Sequence, residues 1–124
     1  MIRELIAVAA GGALGSMLRY VLSGIALAES VWCGFPLGTF AVNAAGSLLI
    51  GVVLGAELPP PAVRLLAVGF CGGFTTFSTF SADTLRLMRA GSYGPAAAYA
   101  ALSIAVCLAC TAAGWWFGTL AAKR

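Results

Sequence analysis

Charge is what this sequence has least of. Charged residues make up 9% of its 124 positions and hydrophobic residues 61%, and the mean hydropathy is +1.00. A soluble domain carries about 25% charged residues, so this chain has too few to cover a surface that faces water. The composition excludes a soluble protein and predicts an integral membrane protein.

Histidine is absent altogether, which removes the commonest metal ligand and general base. The acidic residues fall near the ends of apolar runs, and none pairs with another for acid–base work inside a membrane: Glu4, Glu29, Glu57 and Asp83. The sequence also lacks the G-x-x-x-x-G-K-[ST] motif that binds nucleotide phosphates. We therefore expect neither an enzyme nor an ATP-driven pump, and no nucleic-acid partner.

Cysteine is scarce too, with residues only at Cys33, Cys71, Cys107 and Cys110. A free cysteine behaves as a small buried hydrophobe, and three of the four lie in apolar runs. Cys107 and Cys110 form a C-x-x-C, but no cationic neighbour is present to favour an accessible thiolate. We expect neither a disulfide framework nor a redox pair.

Four apolar runs dominate the sequence, each long enough for the roughly 20 residues that a helix needs to cross a bilayer. They cover about residues 5–28, 35–56, 62–85 and 95–120. Short connectors join them, which predicts one all-α domain over residues 1–124 with four transmembrane helices. The first run fits a cleaved signal peptide only loosely, because Glu4 offsets Arg3 and Arg19 interrupts the run, so we expect it to be retained.

Small residues recur four positions apart within these runs. The pairs are Gly11 with Gly15, Gly12 with Ser16, Gly51 with Gly55, and Gly69 with Gly73. Such spacing lets helix backbones approach closely in lipid, where packing replaces the hydrophobic effect. The pattern predicts close helix packing, with a partner either in this chain or in another copy.

Lysine and arginine are nearly balanced between the two sides of the membrane. One side would carry Arg3, Arg64, Lys123 and Arg124. The other side would carry Arg86 and Arg89, and Arg19 lies in the half of the first run that is nearer to it. Because this bias fixes orientation, the balance predicts insertion both ways round. Two opposed copies would then form the inverted repeat that many transporters carry in one chain.

One strongly polar side chain lies inside the second run, Asn43 in GTFAVNAAGS. It falls about 12 Å into the helix. Buried polar groups in a bilayer are costly and mark a pathway by default, and an amide offers both donors and an acceptor. Hydrogen bonding between helices explains Asn43 equally well. This residue alone therefore does not distinguish an ion pathway from a helix–helix contact.

The third run contains GFCGGFTTFSTF at residues 69–80. Gly72 and Gly73 lie near its midpoint, and glycine leaves helical geometry most readily. A break there frees backbone groups, which are tolerated only inside protein or beside a watery cavity. The alternative is an unbroken helix with two glycines for packing. The hydroxyl groups that follow favour the break, because they satisfy freed backbone groups.

Aromatic and hydroxyl side chains follow the two glycines. Phe77 and Phe80 share one helix face, Thr75 and Thr79 share a neighbouring face, and Ser78 adds another hydroxyl. Rings presented edge-on suit an anion, whereas rings presented face-on suit a cation. Plain packing of the two rings is a third interpretation.

The other polar residues have less specific meanings. In the fourth run Tyr99 and Ser103 share a face and either extend a line of donors or bond neighbouring backbone. Arg19 either snorkels to the interface or caps freed carbonyl groups of a neighbouring helix. A solvated helix end without functional weight is predicted at Asp83, Arg86 and Arg89.

Three segments together resemble the Fluc/CrcB family of bacterial fluoride channels. They are GGALGSMLRY in the first run, GTFAVNAAGS in the second and GFCGGFTTFSTF in the third. The resemblance spans the whole chain, and the last two motifs in this order are highly specific. It implies a passive channel that exports fluoride across the bacterial inner membrane, built as an antiparallel dual-topology homodimer with two pores.

The resemblance also implies roles for individual residues. Backbone carbonyl groups of Gly72 and Thr75 from both copies would hold a central sodium ion, and Gly73 and Arg19 would be structural. The fluoride ion would meet the Asn43 amide, then ring edges and hydroxyls. These belong to Phe77, Phe80, Ser78 and Thr79, with Tyr99 and Ser103 as further polar positions in the fourth span.

Two other functions compete with a channel. A proton-coupled small multidrug exporter has the same size, four spans and dual orientation but needs a titratable group in the membrane. We expect this chain to offer none, because Glu4 lies at the very end of its run and histidine is absent. A non-transporting scaffold subunit explains the small-residue spacing but leaves Asn43 and TTFSTF without a role.

Overall fold

Four helices long and apolar enough to cross a membrane make up most of the chain. In the computed structural model, which describes residues 1–32 and 34–124, they are Ile2–Ala26, Leu37–Gly55, Pro60–Arg89 and Tyr93–Ala122. The predicted four transmembrane helices are confirmed, and the chain is a multi-pass membrane protein. Cys33 lies outside the described residues, and the other three cysteines are free thiols.

The first two spans are joined by a small antiparallel strand pair. Helix α1, Ile2–Arg19, continues as a π-helical segment over Tyr20–Ala26. Strand β1, Val31–Trp32, then pairs with β2, Phe35–Pro36. The all-α prediction is confirmed, because this two-residue pair lies only in the connector between two spans. The cause of the pair is local. β-branched and aromatic residue types favour extended backbone, and Gly34 adopts the positive φ of 83° at the turn.

The remaining elements form the other three spans. Helix α2, Leu37–Gly55, begins directly after β2. The third span is composite and consists of α3, Pro60–Val63, a π-helical segment over Arg64–Cys71, α4, Gly72–Phe74, and α5, Phe77–Arg89. Helix α6, Tyr93–Ala122, is the unbroken fourth span.

The third span is broken near its middle, but not at the glycines. Gly72 is helical, with φ −62° and ψ −37°, whereas Thr75 and Thr76 have extended backbone, with ψ of 158° and 114°. The prediction of a break at Gly72 and Gly73 is therefore wrong in position. Gly73 instead serves packing, since a Cβ there would lie 2.5 Å from the Gly12 carbonyl oxygen of the first span.

Small residues bring the spans together in two close pairs. The first span packs on the upstream half of the third, and the second span packs on the fourth. A Cβ atom would overlap backbone of the facing helix at each of these glycines: Gly11, Gly15, Gly51, Gly55, Gly69, Gly73, Gly114 and Gly118. The predicted close packing is confirmed, and its partner lies within the chain. Gly114 and Gly118 are the glycines of the fourth span that contact the second span, and the sequence-based prediction did not include them.

Replacing one of these glycines tests the packing. In Gly114→Ala the new methyl group would overlap the Leu48 carbonyl oxygen and lie 2.9 Å from the Val52 amide nitrogen. We expect a loss of about 1–3 kcal/mol in stability, typical of an overpacked site. The measurement is the apparent Tm of the purified protein in detergent.

Gly94→Ala on the same helix is the matched control, because open space surrounds Gly94 within the described residues. Its Tm should equal or exceed that of the wild type, since alanine is the better helix former. Equal melting of both variants would contradict the close contact.

Candidate functional site

The break in the third span is held by Asn43 on α2. Asn43 Nδ2 donates to the Thr76 carbonyl oxygen at 3.0 Å, and the Thr76 N–H donates to Asn43 Oδ1 at 2.7 Å. The side-chain amide therefore takes the place of a peptide group and satisfies both backbone groups of Thr76. The Asn43 amide has a second N–H, which no hydrogen bond in the described part of the chain uses.

Thr76 then starts the helix that follows the break. Its Oγ1 accepts a hydrogen bond from the Thr79 N–H at 3.1 Å, which caps α5. The same hydroxyl donates to Thr79 Oγ1 at 3.1 Å and lies 3.2 Å from Ser78 Oγ. Of the predicted hydroxyl groups, Ser78 and Thr79 thus meet at the N-terminus of α5, with Thr76 at the centre of the cluster. The prediction that Thr75 shares a helix face with Thr79 is wrong, because Thr75 lies in the extended backbone and donates to the Cys71 carbonyl oxygen at 2.8 Å. Thr76 was not singled out in the sequence, although it belongs to the TT pair.

Arg19 reaches the break from the first span. Its Nε donates to the Gly73 carbonyl oxygen at 3.0 Å, and Ser16 Oγ donates to the same oxygen at a longer 3.4 Å. In an unbroken helix this oxygen would accept a hydrogen bond from the Phe77 N–H. The break at Thr75 and Thr76 removes that hydrogen bond. The structure therefore shows the second of the two arrangements considered for Arg19, capping of a freed carbonyl group.

Two further carbonyl oxygens lose their usual helical donors at the break. Gly72 O would accept from the Thr76 N–H, which instead donates to Asn43. Thr75 O would accept from the Thr79 N–H, which instead donates to Thr76 Oγ1. Gly72 is exposed, and a Cβ built on it meets nothing nearer than 4.0 Å. Carbonyl oxygens are hard ligands of the kind that bind small cations at broken helices.

An aromatic row follows the break. The rings of Phe77 and Phe80 have centroids 5.4 Å apart with planes tilted by 44°, and Phe80 lies 5.3 Å from the Tyr99 ring at 39°. Tyr99 is fully buried and meets Phe35 edge to face at 5.1 Å. Phe77 is 78% exposed. The row therefore runs from a buried tyrosine to a phenylalanine on the open side of the chain.

A cavity of about 390 Å³ lies between the break and α6. Its described lining includes Asn43, Gly72, Thr75, Thr76, Phe77, Phe80, Ser103 and Cys107. Six of the predicted site residues thus meet at one cavity. The remaining predicted residues lie beside it: Ser78 and Thr79 in the hydroxyl cluster, Gly73 and Arg19 behind the break, and Tyr99 under Phe80.

Asp83 is part of a buried polar cluster and not of a solvated helix end. Its side chain accepts a hydrogen bond from Thr39 Oγ1 at 2.8 Å, and Tyr99 Oη lies 3.5 Å from the same oxygen. Arg86 Nη1 pairs with the other carboxylate oxygen at 3.0 Å. The prediction for Asp83 is wrong because Thr39 and Tyr99, on two other spans, enclose it.

Thr39 is a residue that the sequence reasoning missed. It precedes Asn43 by four residues and therefore lies on the same face of α2. That spacing was the available signal, since the same face of α2 then meets the third span at both Thr76 and Asp83. A shared helix face predicts that Thr39 and Asn43 contact the same neighbouring span. Only the three-dimensional structure shows that Thr39 donates to the Asp83 carboxylate.

Comparison with known proteins identifies the family of this chain. The family model described as "CrcB-like protein, Camphor Resistance (CrcB)" matches residues 6–115. The chain belongs to the CrcB family. The resemblance carried by GTFAVNAAGS and GFCGGFTTFSTF is confirmed.

Several curated relatives of the CrcB family align over most of the chain. A protein of Geobacter metallireducens is 44% identical over 125 residues, covering 97% of each chain. One of Nitrobacter winogradskyi is 46% identical, covering 89% of this chain and 90% of its own. One of Bordetella petrii is 49% identical, covering 88% and 86%. Each is named "Fluoride-specific ion channel FluC", so the prediction that the chain is not an enzyme is confirmed.

Replacing Asn43 tests the clamp on the break. In Asn43→Leu both Thr76 backbone groups lose their partner, and we expect a cost of about 1–3 kcal/mol for each unpaired group. The measurement is the apparent Tm in detergent. Ser47→Ala, one turn along the same cavity-lining helix, is the control and should melt near the wild type. Wild-type melting of Asn43→Leu would mean that Asn43 does not hold the break.

Proposed function

We propose that this protein is a passive, fluoride-selective channel that exports fluoride from the cytoplasm across the bacterial inner membrane. The observation that carries the proposal is the clamped break. Asn43 holds Thr76 open beside a cavity that Phe77, Phe80 and Ser103 also line. The names of the relatives support the choice of ion.

The chemistry of the lining suits a small anion. Fluoride is compact and strongly hydrated, so a pore must replace its water with donors at close range. The second N–H of Asn43 and the hydroxyl of Ser103 are such donors. Phenylalanine rings add positive edges, which we assign to Phe77 and Phe80. Ser78, Thr79 and Tyr99 would offer further hydroxyls beside this lining.

No energy source is needed for export by such a pore. Hydrogen fluoride enters a cell as a neutral acid and dissociates in a less acidic cytoplasm. An inside-negative potential then drives the anion out, because moving one charge across 100 mV is worth about 2.3 kcal/mol. A selective passive pore is therefore sufficient to lower cytoplasmic fluoride.

A second copy of the chain in the opposite orientation would complete the channel, with two pores per dimer. Phe77 is 78% exposed at the cavity, and we assign the covering of this open side to the second copy. The near balance of lysine and arginine between the two sides is consistent with insertion both ways round.

A sodium ion would bind at the break. The residues fit such an ion, because the carbonyl oxygens of Gly72 and Thr75 have lost their helical donors and Gly72 is exposed. The described residues contain no cluster of three cysteine or acidic side chains for a metal, so backbone oxygens are the available hard ligands. The positive charge would hold the two broken helices of a dimer together.

A proton-coupled exporter is the second candidate, because of Asp83. Such an exporter needs a titratable group in the membrane, and Asp83 lies inside the third span with 8% of its surface exposed. The sequence-based reason for excluding this class therefore fails. Against it, Arg86 and Thr39 already hold the carboxylate, and the relatives are named as channels.

Ion release from liposomes distinguishes the candidates. Vesicles holding the purified protein and either fluoride or chloride are given a potassium potential with valinomycin, and release is followed with ion-selective electrodes. We expect rapid fluoride release with chloride retained. Release under a pH gradient but not under a potential would instead establish a proton-coupled exporter, and protein-free vesicles give the background rate.

Replacing Phe80 tests the aromatic lining. Phe80→Ile keeps apolar bulk but removes the ring that lines the cavity and packs on Tyr99. We expect the dimer to persist and fluoride release to be lost. Phe70→Ile is the control, since Phe70 stacks on Phe74 in the same span and lies outside the described lining.

Dimer assembly is checked by size-exclusion chromatography in detergent. Unchanged fluoride release in Phe80→Ile would count against the ring-edge role. A scaffold subunit would show no release in any variant.

A further inference from the structure

A second cavity, of about 400 Å³, lies on the side of the membrane where the first and third spans begin. Its described lining includes Arg3 and Glu4 from the first turn of α1 and Pro61 and Arg64 from the start of the third span. Charged side chains near the ends of membrane helices reach the bilayer interface. The second cavity therefore opens at the depth of the lipid headgroups.

The side chains around the second cavity leave positive charge in excess. Arg64 Nη2 pairs with Glu4 Oε1 at 2.9 Å, and the two side chains are 38% and 47% exposed. Arg3 is exposed and forms no ion pair with any residue that the structure describes. Two guanidinium groups thus face a single carboxylate. Each guanidinium has five N–H donors, so most of these donors remain available to a ligand.

Apolar surface continues from the second cavity along the first span. Ile2 lines the cavity and is 69% exposed, and Leu5 and Ile6 are 58% and 61% exposed. These two residues follow Ile2 by three and four positions and therefore lie on the same face of α1. A lipid whose headgroup entered the cavity would have its acyl chains beside this face, whereas a dissolved phosphate would make no use of it.

We propose that the second cavity binds the phosphate group of an anionic phospholipid, with Arg3 and Arg64 as its ligands. Guanidinium suits this role because two of its N–H groups can pair with two phosphate oxygens at once. Basic pockets between membrane helices bind anionic headgroups. Glu4 repels further negative charge, which favours a phosphodiester such as phosphatidylglycerol over a more highly charged phosphomonoester. The proposal does not depend on which ion the protein conducts.

The test follows the apparent Tm of the purified full-length protein in detergent while dioleoylphosphatidylglycerol is added. A ligand that binds only the folded state raises the Tm with its concentration, so the titration gives an apparent affinity. We expect phosphatidylglycerol to raise the Tm, whereas phosphatidylcholine and water-soluble glycerol phosphate leave it unchanged. An equal rise with glycerol phosphate would mean a site for dissolved anions, and an equal rise with phosphatidylcholine would mean that charge is not recognised. Either result would overturn the proposal.

Arg3→Gln is the most informative variant, because Arg3 has no ion-pair partner in the described structure whose loss would disturb the fold. We expect its apparent affinity for phosphatidylglycerol to fall about fivefold, which corresponds to about 1 kcal/mol, the contribution of one basic residue at an anionic lipid surface. Arg89→Gln is the matched control, since it removes an exposed arginine at the opposite end of the third span and outside the second cavity. Equal weakening in both variants, or none in Arg3→Gln, would refute the site.

Native mass spectrometry measures the stoichiometry of lipid binding. The wild type should retain one phosphatidylglycerol per chain, and the double variant Arg3→Gln, Arg64→Gln should retain none under the same conditions. Retention of the lipid by the folded double variant would place its binding elsewhere on the protein and overturn the proposal, whether or not the protein conducts fluoride.

Discussion

The pairing of the Asn43 side chain with the backbone of Thr76 is the interaction on which the rest of the site depends. An open backbone inside a membrane is tolerated only when its polar groups are satisfied, and Asn43 satisfies both groups of Thr76 at 2.7 and 3.0 Å. Because the Thr76 N–H turns to Asn43, the Gly72 oxygen is freed. The Thr75 oxygen is freed by a second exchange, in which the Thr79 N–H donates to Thr76 Oγ1.

The clamp is effective because the helices that carry it are held rigidly. Glycines on α2 and α6 bring those backbones into contact, and the same holds for α1 against the upstream half of the third span. Arg19 is carried by α1 to the freed Gly73 oxygen. A wider separation of α1 from the third span would pull Arg19 out of hydrogen-bonding range. For Asn43 the relevant glycine is Gly46 on α2, where a Cβ would lie 3.1 Å from Cδ1 of Phe74 in the third span.

Much of this arrangement is readable in the sequence, and what is not has a physical cause. Hydropathy predicts the four spans, and glycine spacing predicts the close contacts. The position of the break was misplaced because it depends on a partner 33 residues away, Asn43, and not on the local flexibility of Gly72. Asp83 was misread for the same reason, since Thr39 lies 44 residues away. Local patterns find candidates, whereas long-range partners decide which of them are used.

Fluoride release by Asn43→Leu tests the central claim most directly. The variant is reconstituted and measured at a temperature well below its own Tm, where it remains folded. It is measured alongside Leu48→Val, a change on the same helix but outside the described cavity lining, at the same protein density. The account predicts that release is lost in the folded variant, because the break closes or the donor is missing, while the control conducts. Wild-type release by folded Asn43→Leu would contradict the claim that the clamped break forms the pore.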